Sequence, residues 1–295
     1  MKRILLSGLL LTCFFNLQSQ DDSILVSPQW LNEHLHDQGL VVLQVNFLKL
    51  DYNKEHIEGA GYLWPELMAP NAPEANYNAP DLGTVTKVLQ DLGISSNSQI
   101  VLYHARSEVS VTARVFLTLE HLGLKGRVRF LNGGLEAWKK AGYPVTSVVS
   151  SLKKGNFQAK LLSLLVDKQY VLNTLKSANG VVVDARTKRF YDGEPTGNPR
   201  DGHITGAKNI PYTEMVDAEN VFKPLDSLEH YFKPVAKPGN EIVTYCFIGQ
   251  TACVVYMAGR LLGYDIKLYD NSLQEWSRQD DLPMEKTELP KEKTN

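Results

Sequence analysis

Cys246 lies in the stretch Tyr245-Cys246-Phe247-Ile248-Gly249-Gln250-Thr251-Ala252. Before it, Ile242 to Tyr245 reads as a strand; after it, Ala252 to Leu262, closed by Gly263, reads as a helix. At such a junction, unpaired backbone N–H groups and the positive end of the helix dipole favour an anion. A thiol placed there loses its proton more readily and becomes a nucleophile. The competing reading of the same residues is a buried structural cysteine.

The elements that must position this thiol belong to a chain of 295 residues, long enough for two domains. Charge is nearly balanced, 31 Lys+Arg against 33 Asp+Glu, which points away from nucleic acid and from anionic membrane surfaces. Met1-Lys2-Arg3, the apolar run from Ile4 to Phe15 and the polar Asn16 to Gln20 read as a signal peptide over residues 1–20. The apolar run is too short for a lasting bilayer anchor, so an exported, periplasmic protein is expected. Cys13, preceded by Leu11-Thr12, fits a lipoprotein cleavage box poorly. Loss of that segment leaves Cys246 and Cys253, which is no disulfide framework. Two helical turns would separate the pair by about 10 Å, beyond the usual disulfide reach of about 7 Å between α-carbons. Cys253 therefore reads as a small core residue.

The chain repeats itself. Ser27-Pro28 caps a helical pattern that ends at Gly39, before Val41-Val42-Leu43-Gln44-Val45; Asp167 caps one that ends at Gly180, before Val181-Val182-Val183-Asp184. His56-Ile57-Glu58-Gly59-Ala60 matches His203-Ile204-Thr205-Gly206-Ala207, and Asn132 to Trp138 parallels Asp270 to Trp276. Short apolar strands alternating with helices argue for two α/β domains, each with a largely parallel sheet. The expected boundaries are 24–146 and 158–284, joined by a polar linker over 147–157 and followed by a charged tail over 285–295. The halves also differ. His104 stands where Cys246 would be and Gln44 where Asp184 would be. From Asp184 to His203 there are 19 residues, against 12 from Gln44 to His56. The added segment, Thr187 to Gly202, carries Arg189 and Arg200. Ligands of open α/β sheets bind at the carboxyl ends of strands, and Asp184, the arginine segment and Cys246 all fall at such ends.

The two His-Ile-x-Gly-Ala motifs, Asn132-Gly133-Gly134…Trp138, Asp184-Ala185-Arg186 and the Cys246 loop, in this order, make residues 24–284 resemble the tandem rhodanese family of sulfurtransferases. The resemblance implies two rhodanese-like domains, the first without chemistry, and sulfane-sulfur transfer through a Cys246 persulfide with no metal or organic cofactor. It implies a small anionic donor, thiosulfate first, and a thiophilic acceptor such as cyanide or a thiol; it assigns no oligomeric state. The amides of Phe247, Ile248, Gly249, Gln250 and Thr251 would stabilise the anionic sulfur, with Gly249 letting the backbone curl around it. Arg189 and Arg200 match donor-binding arginines, whose planar fork suits anionic oxygens. Asp184 and His203 would support the strand end and loop, while His56, His104, Trp138 and Trp276 read as structural.

The chain also departs from the family pattern. Lys188 replaces the glycine before the first arginine, and two extra residues separate the arginine pair. Phe247 and Ile248 supply neither the basic residues of thiosulfate-type members nor the small residue and serine of the mercaptopyruvate type. A narrower, more apolar entrance is expected. The alternatives are a 3-mercaptopyruvate sulfurtransferase and, from another class, a non-catalytic sulfur carrier or binding module. A phosphatase on the same fold would need arginine where Ala252 stands, and a disulfide oxidoreductase would need a nearer second cysteine.

Overall fold

The computed structural model describes residues 23–73, 75–106 and 109–287; the signal-peptide reading of 1–20 falls outside them. Two five-stranded sheets form, each wholly parallel. The first has the order Leu25–Val26, Val128–Leu131, Gln99–His104, Leu40–Val45, Gly61–Leu63. The second has the order Leu165–Val166, Asp265–Tyr269, Glu241–Tyr245, Gly180–Asp184, Lys208–Asn209. Parallel strands covered on both faces become continuous apolar runs, as Val181-Val182-Val183 and Ile100-Val101-Leu102 do. The caps fall where expected: Ser27 Oγ accepts from Trp30 N at 3.1 Å and Asp167 Oδ1 from Tyr170 N at 2.9 Å.

The duplication extends to individual hydrogen bonds. Tyr103 Oη accepts from Ile57 N at 3.1 Å, and Tyr245 Oη accepts from Ile204 N at 3.0 Å. Tyr52 Oη donates to Ala60 O and Tyr191 Oη to Ala207 O, both at 2.8 Å. Each of those tyrosines stacks on the histidine of its motif, His56 or His203, and accepts a 2.7 Å bond at its carbonyl from that ring.

Strand alternation decides which side of the sheet the thiol faces. Val243 and Tyr245 pack outward with Val182, Ile204 and Trp276. Ile242 and Cys246 point inward, into a core shared by both halves. At its centre the helix Val109–Leu119 of the first domain packs on Ala252–Leu261 of the second. Residues Ala252 to Gly259 are all buried, which explains why this helix is apolar around its whole circumference. The packing is pseudo-twofold. Glu120 and Arg260, each three residues before the glycine that ends its helix, form an ion pair across it.

The linker packs on the first domain, and one boundary shifts from the sequence expectation. The 147–157 linker is docked: Gly155 N donates to Gln90 O at 2.8 Å and Phe157 N to Ile94 O at 3.1 Å. A Cβ on Gly155 would lie 2.0 Å from that Ile94 oxygen, so only glycine lets the chain pass there. Glu285 belongs to the second domain and not to the charged tail. Met284–Glu285 pairs antiparallel with His203–Ile204, and the Glu285 carboxylate accepts from Gly206 N at 2.9 Å.

Candidate active site

Cys246 follows the strand Glu241–Tyr245 and is 1% exposed. The neighbouring strand–helix turn fixes its backbone. Ser272 Oγ accepts from Cys246 N at 3.2 Å, Leu273 N donates to Cys246 O at 3.1 Å, and Gln274 N donates to Phe247 O at 2.9 Å. The next five amides are treated differently. Among the described residues, no acceptor meets the N–H of Phe247, Ile248, Gly249, Gln250 or Thr251, and the helix that follows has no side-chain cap. Phe247, Ile248, Gln250 and Thr251 are half-buried and Gly249 is buried, and a row of amides without a protein acceptor beside a thiol is a site shaped for an anion. Gly249 has φ +78°, and a Cβ there would lie 2.5 Å from Asp270 O; glycine is required on both counts.

A buried ion pair stands beside this loop. Arg186, 2% exposed, grips Asp184 with Nε at 3.0 and 3.1 Å and Nη2 at 2.6 Å, and donates to Gly202 O at 2.6 Å. Burial opposes its charge, but the Asp184 carboxylate outweighs that and the guanidinium's pKa lies above its ordinary value, with Cys246 adding to the upward pull. Its guanidinium lies 4.8 Å from the centroid of the Phe247 ring, and Phe247 meets Phe190 edge-on at 5.2 Å. The mouth beside Cys246 is therefore aromatic with a cationic wall.

The first half is the natural control. His104 replaces Cys246, and Gln44 and Asn46 replace Asp184 and Arg186, joined by a neutral 3.3 Å bond. Burial lowers the His104 pKa to about 4, so the ring is neutral at pH 7. An interdomain cleft of 1230 Å³ opens at that half's strand ends beside Asn132, Gly133 and Val221, but no cysteine lines it. The large cleft and the buried Cys246 therefore lie at the strand ends of different halves.

The predicted arginines separate. Arg189, on the short helix Lys188–Tyr191, is exposed at the rim, 4.4 Å over the Phe190 ring and 3.5 Å from the Glu194 carboxylate. Arg200 is held elsewhere. Its guanidinium donates to Trp276 O at 2.8 Å, Leu282 O at 2.7 Å, Ser277 O at 3.1 Å and Gln279 O. It ties down the turn after the helix Ser272–Trp276, and with four of its five donors engaged it is not placed as a substrate ligand. His203 is bonded on both ring nitrogens, to Tyr191 O at 2.7 Å and to Glu285 Oε1 at 3.2 Å, and anchors the base of the arginine segment. Arg186, Ser272 and, from the first domain, Arg114 were not predicted at the site. Only Arg186 left a signal, in its two-residue spacing from Asp184 together with the neutral pair at the matching positions of the first half.

Two parallel α/β repeats with a single thiol in an unpaired amide loop define a class, and comparison with known proteins supplies the family. The rhodanese-like domain family matches residues 27–141 and 167–279, and the chain belongs to it. A probable 3-mercaptopyruvate sulfurtransferase of Pseudomonas aeruginosa is 33% identical over 268 residues, 85% of this chain and 94% of that protein. A sulfur carrier protein of Thermus thermophilus is 31% identical, over 90% and 97% of the two chains. Bovine thiosulfate sulfurtransferase is 31% identical, over 85% and 91%. The crystal structure of a 3-mercaptopyruvate sulfotransferase from Escherichia coli superposes with a TM-score of 0.75 at 25% identity, covering 85% of this chain and 98% of that one.

Proposed function

We propose that this protein is a sulfurtransferase that moves sulfane sulfur from thiosulfate to a thiophilic acceptor through a persulfide on Cys246. The observation that carries the reading is the loop of unpaired amides from Phe247 to Thr251 around a lone cysteine, beside the paired Arg186. The Cys246 thiolate attacks the outer sulfur of thiosulfate; the new S–S bond forms as the bond to the sulfonate sulfur breaks, and sulfite leaves with that electron pair. Cyanide or a thiolate then takes the outer sulfur, and the thiolate returns. Each step is a displacement at sulfur, and division into two steps is the benefit of the covalent intermediate. In both steps the charge moves along sulfur atoms, where the loop amides and the Arg186 charge act.

The relatives keep two other readings in view. A 3-mercaptopyruvate donor would bring a carboxylate for Arg189. A sulfur carrier would load once and hold. Purified protein given thiosulfate should gain one sulfur atom by intact mass and lose it on addition of cyanide. Loading without release favours the carrier, and no loading from thiosulfate, 3-mercaptopyruvate or a persulfide donor removes the sulfurtransferase reading. Within that assay Arg189→Ala raises KM for the anionic donor about ten-fold, the worth of one charge-assisted hydrogen bond. Arg200→Ala leaves KM unchanged and lowers unfolding stability by about 2 kcal/mol, because four carbonyls lose their donor. A raised KM in Arg200→Ala with unchanged stability would return it to the donor site.

Export to the periplasm belongs to the same proposal, supported by the basic and then apolar start. Among the described residues no helix is long and apolar enough to cross a membrane. Recovery of a protein shortened by about 20 residues from the periplasmic fraction checks it, that length being typical of a removed signal peptide; a full-length product in the cytoplasm rejects it.

A further inference from the structure

The loop that carries Cys246 is braced from the other half of the chain. Arg114, on the first domain's helix Val109–Leu119, is 1% exposed. Its guanidinium pairs with Asp270 at 2.6 Å, donates to Tyr77 O at 2.8 Å and reaches Gly249 O at 3.4 Å. The same Gly249 oxygen accepts from the Cys253 thiol at 3.2 Å. Burial pushes that thiol up to about 12, so it remains a donor at neutral pH. Around this contact, Ser110 Oγ accepts from Gln250 Nε2 at 2.9 Å, and Asn76 exchanges two 2.8 Å bonds with the Gln274 side chain. The Asp270 carboxylate accepts from Ala79 N at 3.1 Å. All of these partners of the loop and its flanking turn lie in the first domain, except Cys253.

The physical consequence follows from the peptide unit. A trans amide is planar, with its N–H directed opposite to its C=O. Holding the Gly249 oxygen therefore holds the direction of the Gln250 N–H, one of the five amides without a protein acceptor. The cation is also specific to one half. Arg114 stands nine residues before the helix-ending Gly123, and the residue nine before Gly263 is Val254. Glu120 and Arg260 respect the pseudo-twofold axis, whereas Arg114 and Val254 break it, and they break it on the side that faces the thiol.

We propose that Arg114 is a positioning residue for sulfur transfer: the first domain, which has no thiol of its own, aims the amides of the Cys246 loop through it. This rests on the sulfurtransferase reading only for its activity measurement. The full chain is compared with Arg114→Lys and Arg114→Met. Lysine keeps a charge beside Asp270 but lacks the planar fork whose two separate nitrogens reach Tyr77 and Gly249; methionine removes every donor. The readouts are kcat and KM for thiosulfate, and the pH profile of Cys246 alkylation by iodoacetamide. In both variants kcat falls about ten-fold or more, as expected when an aimed donor is misdirected, while KM stays within about two-fold. The alkylation profile moves to higher pH, which a merely structural arginine would not cause in a folded variant. A folded Arg114→Lys protein with wild-type kcat and a wild-type alkylation profile overturns the proposal, and if the methionine variant does not fold the lysine variant decides alone. A wild-type protein that takes up no sulfur from any donor sinks the sulfurtransferase reading instead; the alkylation profile still tests Arg114 by itself.

Discussion

Cys246→Ser abolishes sulfur uptake from thiosulfate and lowers turnover to the level without protein. A serine hydroxyl has nearly the same volume, but at neutral pH it is almost wholly protonated, and no neighbouring base in the described site activates it. The amide loop and Arg186 can steady an anion but cannot create one from an unassisted hydroxyl. Stability should change little, within about 1 kcal/mol, because the substitution is nearly isosteric and the loop amides without a protein acceptor can donate to the hydroxyl oxygen. Intact mass after incubation with thiosulfate, together with a urea melt, separates the two effects. Cys253 supplies an internal control: its thiol is fully buried and held protonated. A sulfur adduct that persists in Cys246→Ser and maps to Cys253 would overturn the assignment of the nucleophile.

The second large effect concerns the buried pair beside that thiol. Arg186→Asn alone leaves the Asp184 carboxylate, 0% exposed, without its partner, and Asp184→Gln alone strands the guanidinium. Breaking one side of a buried pair costs roughly 3–5 kcal/mol, so each single variant should be strongly destabilised in a denaturant melt. The first half of the chain shows how to repair this. At the matching positions it carries Gln44 and Asn46 as a neutral hydrogen-bonded pair on the same strand end. The double variant Asp184→Gln/Arg186→Asn copies it and should regain most of the stability lost by either single change. Activity should not return, because the guanidinium against the Phe247 ring beside Cys246 is gone. The double-mutant cycle has a large coupling in stability and none in rescue of turnover. Recovered turnover in the double variant would show that the pair only holds the fold.

How much of this was legible beforehand differs from residue to residue. The helix starts at Ser27 and Asp167, the strand before Cys246 and the helix closed by Gly263 follow from caps, alternation and glycine, which act within a few residues. The asymmetry of the halves was equally visible, since His104 against Cys246 is a comparison of letters. Arg200 shows where such reading stops. Its residue type and its place in the added segment suit an anion, yet its fork is satisfied by carbonyls between Trp276 and Leu282, more than 70 residues further along the chain. A guanidinium binds whatever oxygens the fold presents first, and local sequence does not say which those are.

The sequence by itself determined that this is a duplicated α/β chain with a cysteine at one strand–helix junction, because period, capping and turn chemistry are local properties repeated in register. It also determined which half carries that cysteine, since His104 stands at the matching position of the other. Only the tertiary structure decided what surrounds the sulfur. Arg186 is fixed by Asp184, Arg200 is withdrawn into a turn, and Arg114 reaches across from the first domain to the carbonyl of Gly249. These are contacts between groups distant in sequence, chosen by how two pseudo-symmetric helices pack, and a hydrogen bond made across that interface leaves no periodic trace in the chain.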